Sequence, residues 1–174
     1  MAKTQPGSAS DAMLARALAQ KNTEGSLSTV AKDHDGHPFG SVMPYVLDPA
    51  GHPILLASRL AEHTANFEAD PRASLMISEA IHSRAADDPL ALQRVTLLGL
   101  VSKIDGGDVK ERYIARHPYA RMYVDFDDFS FYRLTVQDVR YVGGFGRMSW
   151  VTADDFSSAD VPPELLEPAT TAAS

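Results

Sequence analysis

Residues 58–67, SRLAEHTANF, concentrate side chains that can bind an anion. Arg59, His63 and Thr64 lie between a predicted strand that ends at Ser58 and a short predicted helix that follows it. The first turn of a helix presents free backbone N–H groups and a partial positive charge, and arginine can hold a phosphate through two parallel hydrogen bonds. The segment therefore predicts a phosphate-facing turn. The alternative is an ordinary turn in which Ser58 caps the helix and the arginine is a surface charge.

Other catalytic and metal-binding patterns are absent from the sequence. The chain has no cysteine, which excludes thiolate nucleophiles, iron–sulfur clusters and zinc sites built on cysteine. His34 and His37 flank an Asp-Gly turn that explains their polarity without a metal, and no third ligand is near them in sequence, so we predict no metal site. No hydrolase elbow, Walker loop or dinucleotide fingerprint is present. Redox chemistry would therefore depend on a bound cofactor, and no catalytic acid or base is identified.

The charge balance narrows the range of partners. With 16 Lys and Arg against 23 Asp and Glu, the net charge of −7 argues against binding to nucleic acid or to an anionic membrane. No apolar run approaches the roughly 20 residues that cross a bilayer, and the N-terminal segment MAKTQPGSAS lacks the apolar region of a signal peptide. These features predict a cytoplasmic protein whose partner is a small molecule.

The periodicity of the chain predicts a mainly β domain. Helical spacing over residues 8–22 and 107–117 predicts two flanking helices, and alternating or β-branched runs predict six or seven strands joined by short turns. The last two of these strands are predicted at 128–137 and 139–147. Hairpin-length connections favour a small antiparallel barrel over residues 8–157. We expect disorder at 1–7 and in the Pro- and Ala-rich tail 158–174.

Four motifs carry a family resemblance. In order along the chain, GHPFGSVMPY, SRLAEHTANF, DPRASL and VGGFGR resemble the flavin-binding split-barrel proteins of the pyridoxamine 5′-phosphate oxidase-like superfamily. The similarity is greatest to its branch of haem-utilisation and glutamyl-tRNA-reductase-binding proteins, and it covers about residues 10–156. The resemblance implies a six-stranded antiparallel split barrel, a homodimer, and FMN bound in a cleft between the two subunits.

The same resemblance implies a set of cofactor-binding positions. They are Gly40, Ser41, Val42, Met43, Tyr45, Ala57, Ser58, Arg59, His63, Thr64, Asn66, Arg94, Phe145 and Arg147. The second predicted barrel strand, which contains Gly40, would pass its backbone along the flavin ring, and this glycine would allow close approach. The SRLAEHTANF segment would hold the phosphate, and the last two positions would close the cleft from the partner subunit. Many relatives carry a basic residue where this chain has Ala65, so neutralisation of the phosphate would fall on Arg59 and Arg94.

The resemblance leaves the function open between two classes. The first is an FMN-dependent oxidoreductase that acts on an unknown small molecule, with a deazaflavin as the related cofactor. The second is a haem- or tetrapyrrole-binding or regulatory partner protein without redox turnover. Haem-degrading relatives use a haem-ligating histidine in a C-terminal extension, whereas this chain has no histidine after His117. That difference argues against haem degradation by the same route.

Overall fold

A computed structural model describes residues 7–79 and 88–167 of the chain. In these ranges seven strands and four α-helices alternate with short connections. Short 3₁₀ helices lie at Pro89–Ala91, Pro118–Met122 and Pro163–Leu165. In chain order the elements are α1 (Ala9–Lys21), β1 (Glu24–Val30), β2 (Pro38–Leu47), β3 (Pro53–Ser58), α2 (Glu62–Ala69), β4 (Arg72–Ser78), β5 (Arg94–Ile104), α3 (Gly107–Arg116), β6 (Phe129–Val142), β7 (Met148–Thr152) and α4 (Ala153–Ser158).

Six strands close into a barrel. The sheet order is β3-β2-β1-β4-β5-β6-β7, every pairing is antiparallel, and β3 also pairs with β6. That last pairing closes strands β1 to β6 into the barrel. β7 lies outside the closed set and pairs with Asp138–Val142 of β6, on the edge of β6 that β3 occupies farther back along the strand. The predicted mainly β class and six-stranded antiparallel barrel are confirmed.

Alternation along each strand fills the barrel interior. On β5, Val95, Leu97, Gly99 and Val101 are buried, whereas the residues that alternate with them are half-buried or exposed. The buried side chains join those of the other strands and of α1 and α2 in one hydrophobic cluster. A smaller cluster lies outside the barrel, where Tyr113 of α3 packs beside Ile54 and Phe131. Burial of these apolar side chains is the main stabilising contribution.

Helix α1 lies across the barrel through its small residues. Ser8 and Asp11 form a reciprocal capping box at its N-terminus, which satisfies two donors that would otherwise lack partners. The buried face consists mainly of alanines together with Leu18, whereas Met13 and Leu14 are only half-buried. The helix is present where it was predicted. Its alanine side, rather than the side of Met13 and Leu14, faces the barrel because small side chains allow a close approach to the sheet.

The prediction of two strands within 128–147 is wrong. Residues Phe129–Val142 form one strand, the glycines that follow form a turn with positive φ at Gly144 and Gly146, and the next strand begins only at Met148. The cause is a β-bulge. The pairing of β5 with β6 shifts at Leu98/Gly99, so that Gln137 has no partner and the alternation of the sequence changes phase within a continuous strand.

Some predictions fall outside the described residues. These are the disorder predicted at 1–6 and the part of the predicted disordered tail at 168–174. Within the described ranges, no helix combines the length and the apolar character needed to cross a membrane.

Candidate functional site

The outside of the sheet carries a row of partly exposed apolar side chains, which we call the outer face. The strand register aligns Val42, Ser26, Met76, Thr96, Arg140 and Trp150 across β2, β1, β4, β5, β6 and β7. Val42 is 73% exposed, Met76 41% and Trp150 38%. Ser26 separates Val42 from Met76, and Thr96 and Arg140 separate Met76 from Trp150, so exposed apolar side chains alternate with polar ones along a surface that a ligand or a protein could cover.

A second row beside the first consists of small or polar residues together with Leu98. It joins Gly40, Ser28, Ser74, Leu98 and Asp138. A Cβ built on Gly40 would meet no atom within 4 Å, so the surface beside it is open. The two rows together form a shallow surface on which a flat molecule can lie against β-strand backbone.

One arginine, Arg140, lies within this row, and a second, Arg94, lies beside it. The guanidinium carbon of Arg140 lies 5.4 Å from the centroid of the Trp150 ring, and its buried Nη1 atom has no hydrogen-bond partner among the described residues. Arg94, at the start of β5, points one Nη1 group toward the carbonyl oxygens of Leu90 and Leu92, each 3.4 Å away. These contacts are long, so both guanidinium groups retain donors for an anion.

The predicted positions on β2 divide between two faces. Gly40 and Val42 lie on the outer face, whereas Met43 and Tyr45 are in the barrel core, 3% and 1% exposed. The Tyr45 hydroxyl donates to the carbonyl oxygen of Ala19, 2.7 Å away, and burial raises the pKa of this hydroxyl. Ser41 is half-buried between them. Only the backbone of the inward-facing residues remains available to a ligand on the outer face.

The end of β3 is fastened to the loop before β6. Ala57 is buried, and the Ser58 hydroxyl donates to Asp128 Oδ2 and accepts from the backbone N–H of Leu60. The backbone N–H of Arg59 donates to the carbonyl oxygen of Asp128 over 2.8 Å, and its side chain is exposed. Ser58 does not cap α2: the N-cap residue is Ala61, which gives no side-chain hydrogen bond. The simpler of the two sequence interpretations is therefore wrong in this detail.

The three predicted residues on α2 occupy different environments. His63 is half-buried, burial lowers the pKa of its imidazole, and its ring lies 6.2 Å from that of Phe67. Thr64 is fully buried and, within the ranges described, its hydroxyl has no partner. Asn66 accepts from the N–H of Lys32 and donates to the Thr29 hydroxyl, so its amide connects α2 to β1. Of the three, His63 is the one whose side chain is accessible.

The turn after β6 holds the last two predicted positions. Phe145 is 80% exposed. Arg147 Nη2 lies 2.6 Å from Asp11 Oδ1, so this guanidinium binds the N-terminal turn of α1 in its own chain. Burial alone would raise the pKa of Asp11, but the hydrogen bonds from Ser8 and Arg147 hold it below its ordinary value. The predicted closure of a cleft on the partner subunit by these two residues stays a prediction.

Sequence reasoning missed part of the outer face. Met76, Thr96, Arg140 and Trp150 were not among the predicted positions, although strict alternation places each of them opposite a buried neighbour. Alternation identifies the outward side chains of one strand, but the register that aligns them across six strands is visible only in the fold.

The chain is similar to proteins named for haem. Residues 6–158 match the family described as CREG, beta-barrel. The chloroplast haem oxygenase HOZ of Arabidopsis thaliana is 38% identical over 147 residues, 83% of this chain and 43% of that protein. The haem oxygenase HutZ of Vibrio cholerae is 26% identical over 136 residues, 75% of this chain and 76% of that protein. A solved haem-binding protein from Mycobacterium smegmatis is 36% identical, with a TM-score of 0.79 over 90% of this chain and 62% of its own.

These comparisons confirm the split-barrel resemblance and its haem-utilisation branch. Solved structures below 25% identity, including a member of the pyridoxine phosphate oxidase family, share the fold alone. The chain spans less than half the length of the plant relative and about three fifths of the mycobacterial structure. Since these relatives are named for haem and none of them for a flavin, the comparisons favour the haem alternative over the predicted FMN oxidoreductase.

Proposed function

The chain belongs to the CREG β-barrel family, and on that premise we propose that it binds haem on the outer face. The single observation that carries the proposal is the row that holds Val42, Met76 and Trp150, with Arg140 inside it and Arg94 beside it. Haem is a planar, mostly apolar ring that bears two carboxylates. The fit to these residues is supported by the open surface beside Gly40 and by the unpartnered Nη1 atom of Arg140.

His63 is the residue that we propose for the iron. Among the buried and half-buried histidines of the described ranges, His117 has both ring nitrogens within hydrogen-bond distance of Tyr45 and Tyr119, and His52 accepts from the N–H of Val136. His63 has no such contact in these ranges, and burial lowers its pKa, which favours the neutral imidazole that binds a metal. Bound haem would supply the iron and the conjugated ring for oxygen chemistry.

A second copy of the chain is proposed to cover the outer face. Exposed Val42, Met76 and Trp150 would otherwise remain in contact with water, and a two-fold interface buries the same surface on both subunits. Haem would then lie between the subunits, where the surrounding protein excludes water. This arrangement keeps the homodimer with a shared cleft that the family resemblance implies.

A haem titration tests the proposal. We expect haemin added to the purified protein to give a saturable Soret band that persists through desalting. Arg140→Gln should weaken haem binding about tenfold, the usual effect of losing one charge-assisted hydrogen bond. Arg121→Gln provides the control. Arg121 is exposed on the 3₁₀ helix Pro118–Met122, which precedes β6, and it does not belong to the outer face. His63→Ala should change the Soret position and leave the fold intact.

Three outcomes decide between the functions. Equal haem affinities for Arg140→Gln and Arg121→Gln would place the ligand elsewhere. Retention of FMN but not of haem through desalting would restore the flavin prediction. Loss of the Soret band on addition of a reductant and oxygen, with release of a linear tetrapyrrole, would show haem degradation, whereas a stable band would show binding alone.

A further inference from the structure

A cavity of about 410 Å³ lies between α1, the β2–β3 turn and α3. It is lined by Arg16, Ala19, Gln20, Asn22, Tyr45, Val46, Leu47, Asp48, Pro49, Arg112 and Arg116. The lining residues of β2 are the last three of that strand, whereas Gly40 of the outer face stands near its start. At about 3.3 Å per residue, Tyr45 of the cavity lies about 10 Å along β2 from Val42 of the proposed haem surface. The cavity has a size typical of small-molecule sites, and Tyr45 is the one predicted cofactor position among its lining residues.

Arg16 is a buried cation with too few partners. It is 4% exposed, and its Nη2 group donates to the carbonyl oxygen of Pro49 over 2.9 Å. In the part of the chain that is described, its Nε and Nη1 atoms have no hydrogen-bond partner. The guanidinium lies 5.3 Å from the Phe156 ring and against Gly51, where a Cβ would be 1.4 Å from Nη1. Leaving buried charged donors unsatisfied is costly, so the arrangement indicates a missing acceptor.

The charges around the cavity favour an anion. Arg112 and Arg116 add two exposed guanidinium groups, and Arg112 has no partner within the described ranges. Asp48 is the single acidic residue among those lining residues, and it is already used: its Oδ2 lies 3.2 Å from Arg133 Nε, and its Oδ1 accepts from the N–H of His52. The cavity is therefore cationic in a chain whose net charge is −7.

We propose that this cavity binds a small organic anion that carries a carboxylate or a phosphate. Arg16 would provide the buried charge and Arg112 the exposed one, while Ala19, Val46 and Leu47 offer an apolar wall to the carbon skeleton of the ligand. Arg116 has a structural task in addition, because its Nη2 donates to the carbonyl oxygens of Gln20 and Lys21 at the end of α1. Occupancy of the cavity would thus connect α1, the β2–β3 turn and α3.

Calorimetric titration with two probes tests the site. Inorganic phosphate and succinate are titrated separately into the full chain, with sodium chloride holding the ionic strength constant. We expect saturable binding of at least one probe, and the tighter of the two identifies the headgroup. Arg112→Gln should weaken that binding about tenfold. Arg121→Gln is the matched control, since Arg121 is exposed and does not line the cavity, and Arg59→Gln separately tests the predicted phosphate-facing turn at the other end of β3.

Thermal unfolding of Arg16→Met supplies an independent readout. The wild type should gain several degrees in Tm at saturating probe, since a ligand that binds only the folded state stabilises it. Arg16→Met should lose that gain, while its Tm without probe should equal or exceed that of the wild type, because a buried cation with two nitrogen atoms that the described residues leave unsatisfied is replaced by an apolar chain of similar length.

The outcomes separate this site from the haem surface. Binding of neither probe beyond the chloride background would overturn the proposal, as would equal affinities for wild type and Arg112→Gln. Binding lost in Arg59→Gln and retained in Arg112→Gln would move the anion to the predicted phosphate-facing turn. If Arg16→Met does not fold, the comparison of Arg112→Gln with Arg121→Gln still decides. Haem titration of Arg112→Gln should match the wild type.

Discussion

The outer face and the anion cavity both combine apolar side chains with arginines, but the outer face exposes the apolar groups whereas the cavity buries one of its arginines. On the outer face, the apolar groups of Val42 and Trp150 are exposed, with Arg140 among them and Arg94 beside them. In the cavity, Arg16 is buried and the exposed arginines lie at the border. An electrostatic contact is strong only where water is excluded. The cavity holds one buried cation, Arg16, within a single chain, whereas the outer face needs a second surface to exclude water.

The largest expected effect comes from a substitution that disrupts the proposed dimer interface on the outer face. In Met76→Asp, a carboxylate replaces the thioether on the outer face, where the register neighbours are Ser26 and Thr96, and it would be buried without a cationic partner in the proposed dimer, at a cost of several kcal/mol. We expect the dimer dissociation constant to rise at least about a hundredfold, as measured by sedimentation equilibrium. Phosphate or succinate affinity should not change.

Met122→Asp is the control for this comparison. Met122 is 78% exposed on the 3₁₀ helix at Pro118–Met122, away from the outer face. The Met122→Asp variant should have the same dimer dissociation constant as the wild type. If both variants keep the wild-type dissociation constant, the outer face is not the dimer interface. The contrast between an outer face that depends on a second subunit and a cavity that does not would then be wrong.

A smaller effect is expected at the wall of the cavity. Tyr45→Phe removes the hydroxyl that donates to Ala19 and holds α1 over β2. We expect the free energy of unfolding to fall by about 1 kcal/mol in urea titrations and the anion affinity to fall with it. Tyr123→Phe, which alters a half-buried tyrosine with no hydroxyl hydrogen bond in the described ranges, should stay near the wild type. Equal losses in the two variants would contradict a specific role for the Tyr45 hydroxyl.

The smallest effect is expected where α1 meets the turn that precedes β7. The pKa of Asp11 is lowered in the folded protein, so the Asp11–Arg147 contact stabilises it above the unfolded value of 3.8 and this contribution disappears as the pH falls below that value. Since Arg147 is about half exposed, we expect less than about 1 kcal/mol. Urea titrations of the wild type and Asp11→Asn at pH 7 and pH 3 measure it. A difference between the two proteins that is independent of pH would contradict this cause.

The barrel was accessible from the sequence because its strands alternate and its turns contain Gly, Asp and Pro. The exception is β6, where the bulge at Gln137 changes the phase of the pattern, so that the continuation of the strand was read as a new one. β7 was missed because its exposed Met148 and Trp150 do not resemble the solvent side of an ordinary strand. Those same two residues are unusual because they belong to the outer face.

The sites were less accessible. The segment SRLAEHTANF was singled out by residue type, and the fold places His63 and Arg59 where they can be reached but uses Asn66 to fasten α2. Arg16 gave no signal, since an arginine among alanines on a helix is ordinarily a solvent-facing residue. Its burial follows from the β2–β3 turn and from Gly51, which pack against α1 from a distant part of the sequence.

The seam between β3 and β6 has a kinetic consequence. Its paired residues, from Ile54 with Arg133 to Ser58 with Phe129, are separated by more than 70 positions, and closing so long a loop costs entropy before any contact repays it. The β2–β3 hairpin, by contrast, is a local pairing that forms early. Because α2 follows β3 directly and rests on the closed barrel, the SRLAEHTANF segment reaches its final position only after the seam forms. A ligand that binds there recognises a chain that has already completed the slow part of its folding.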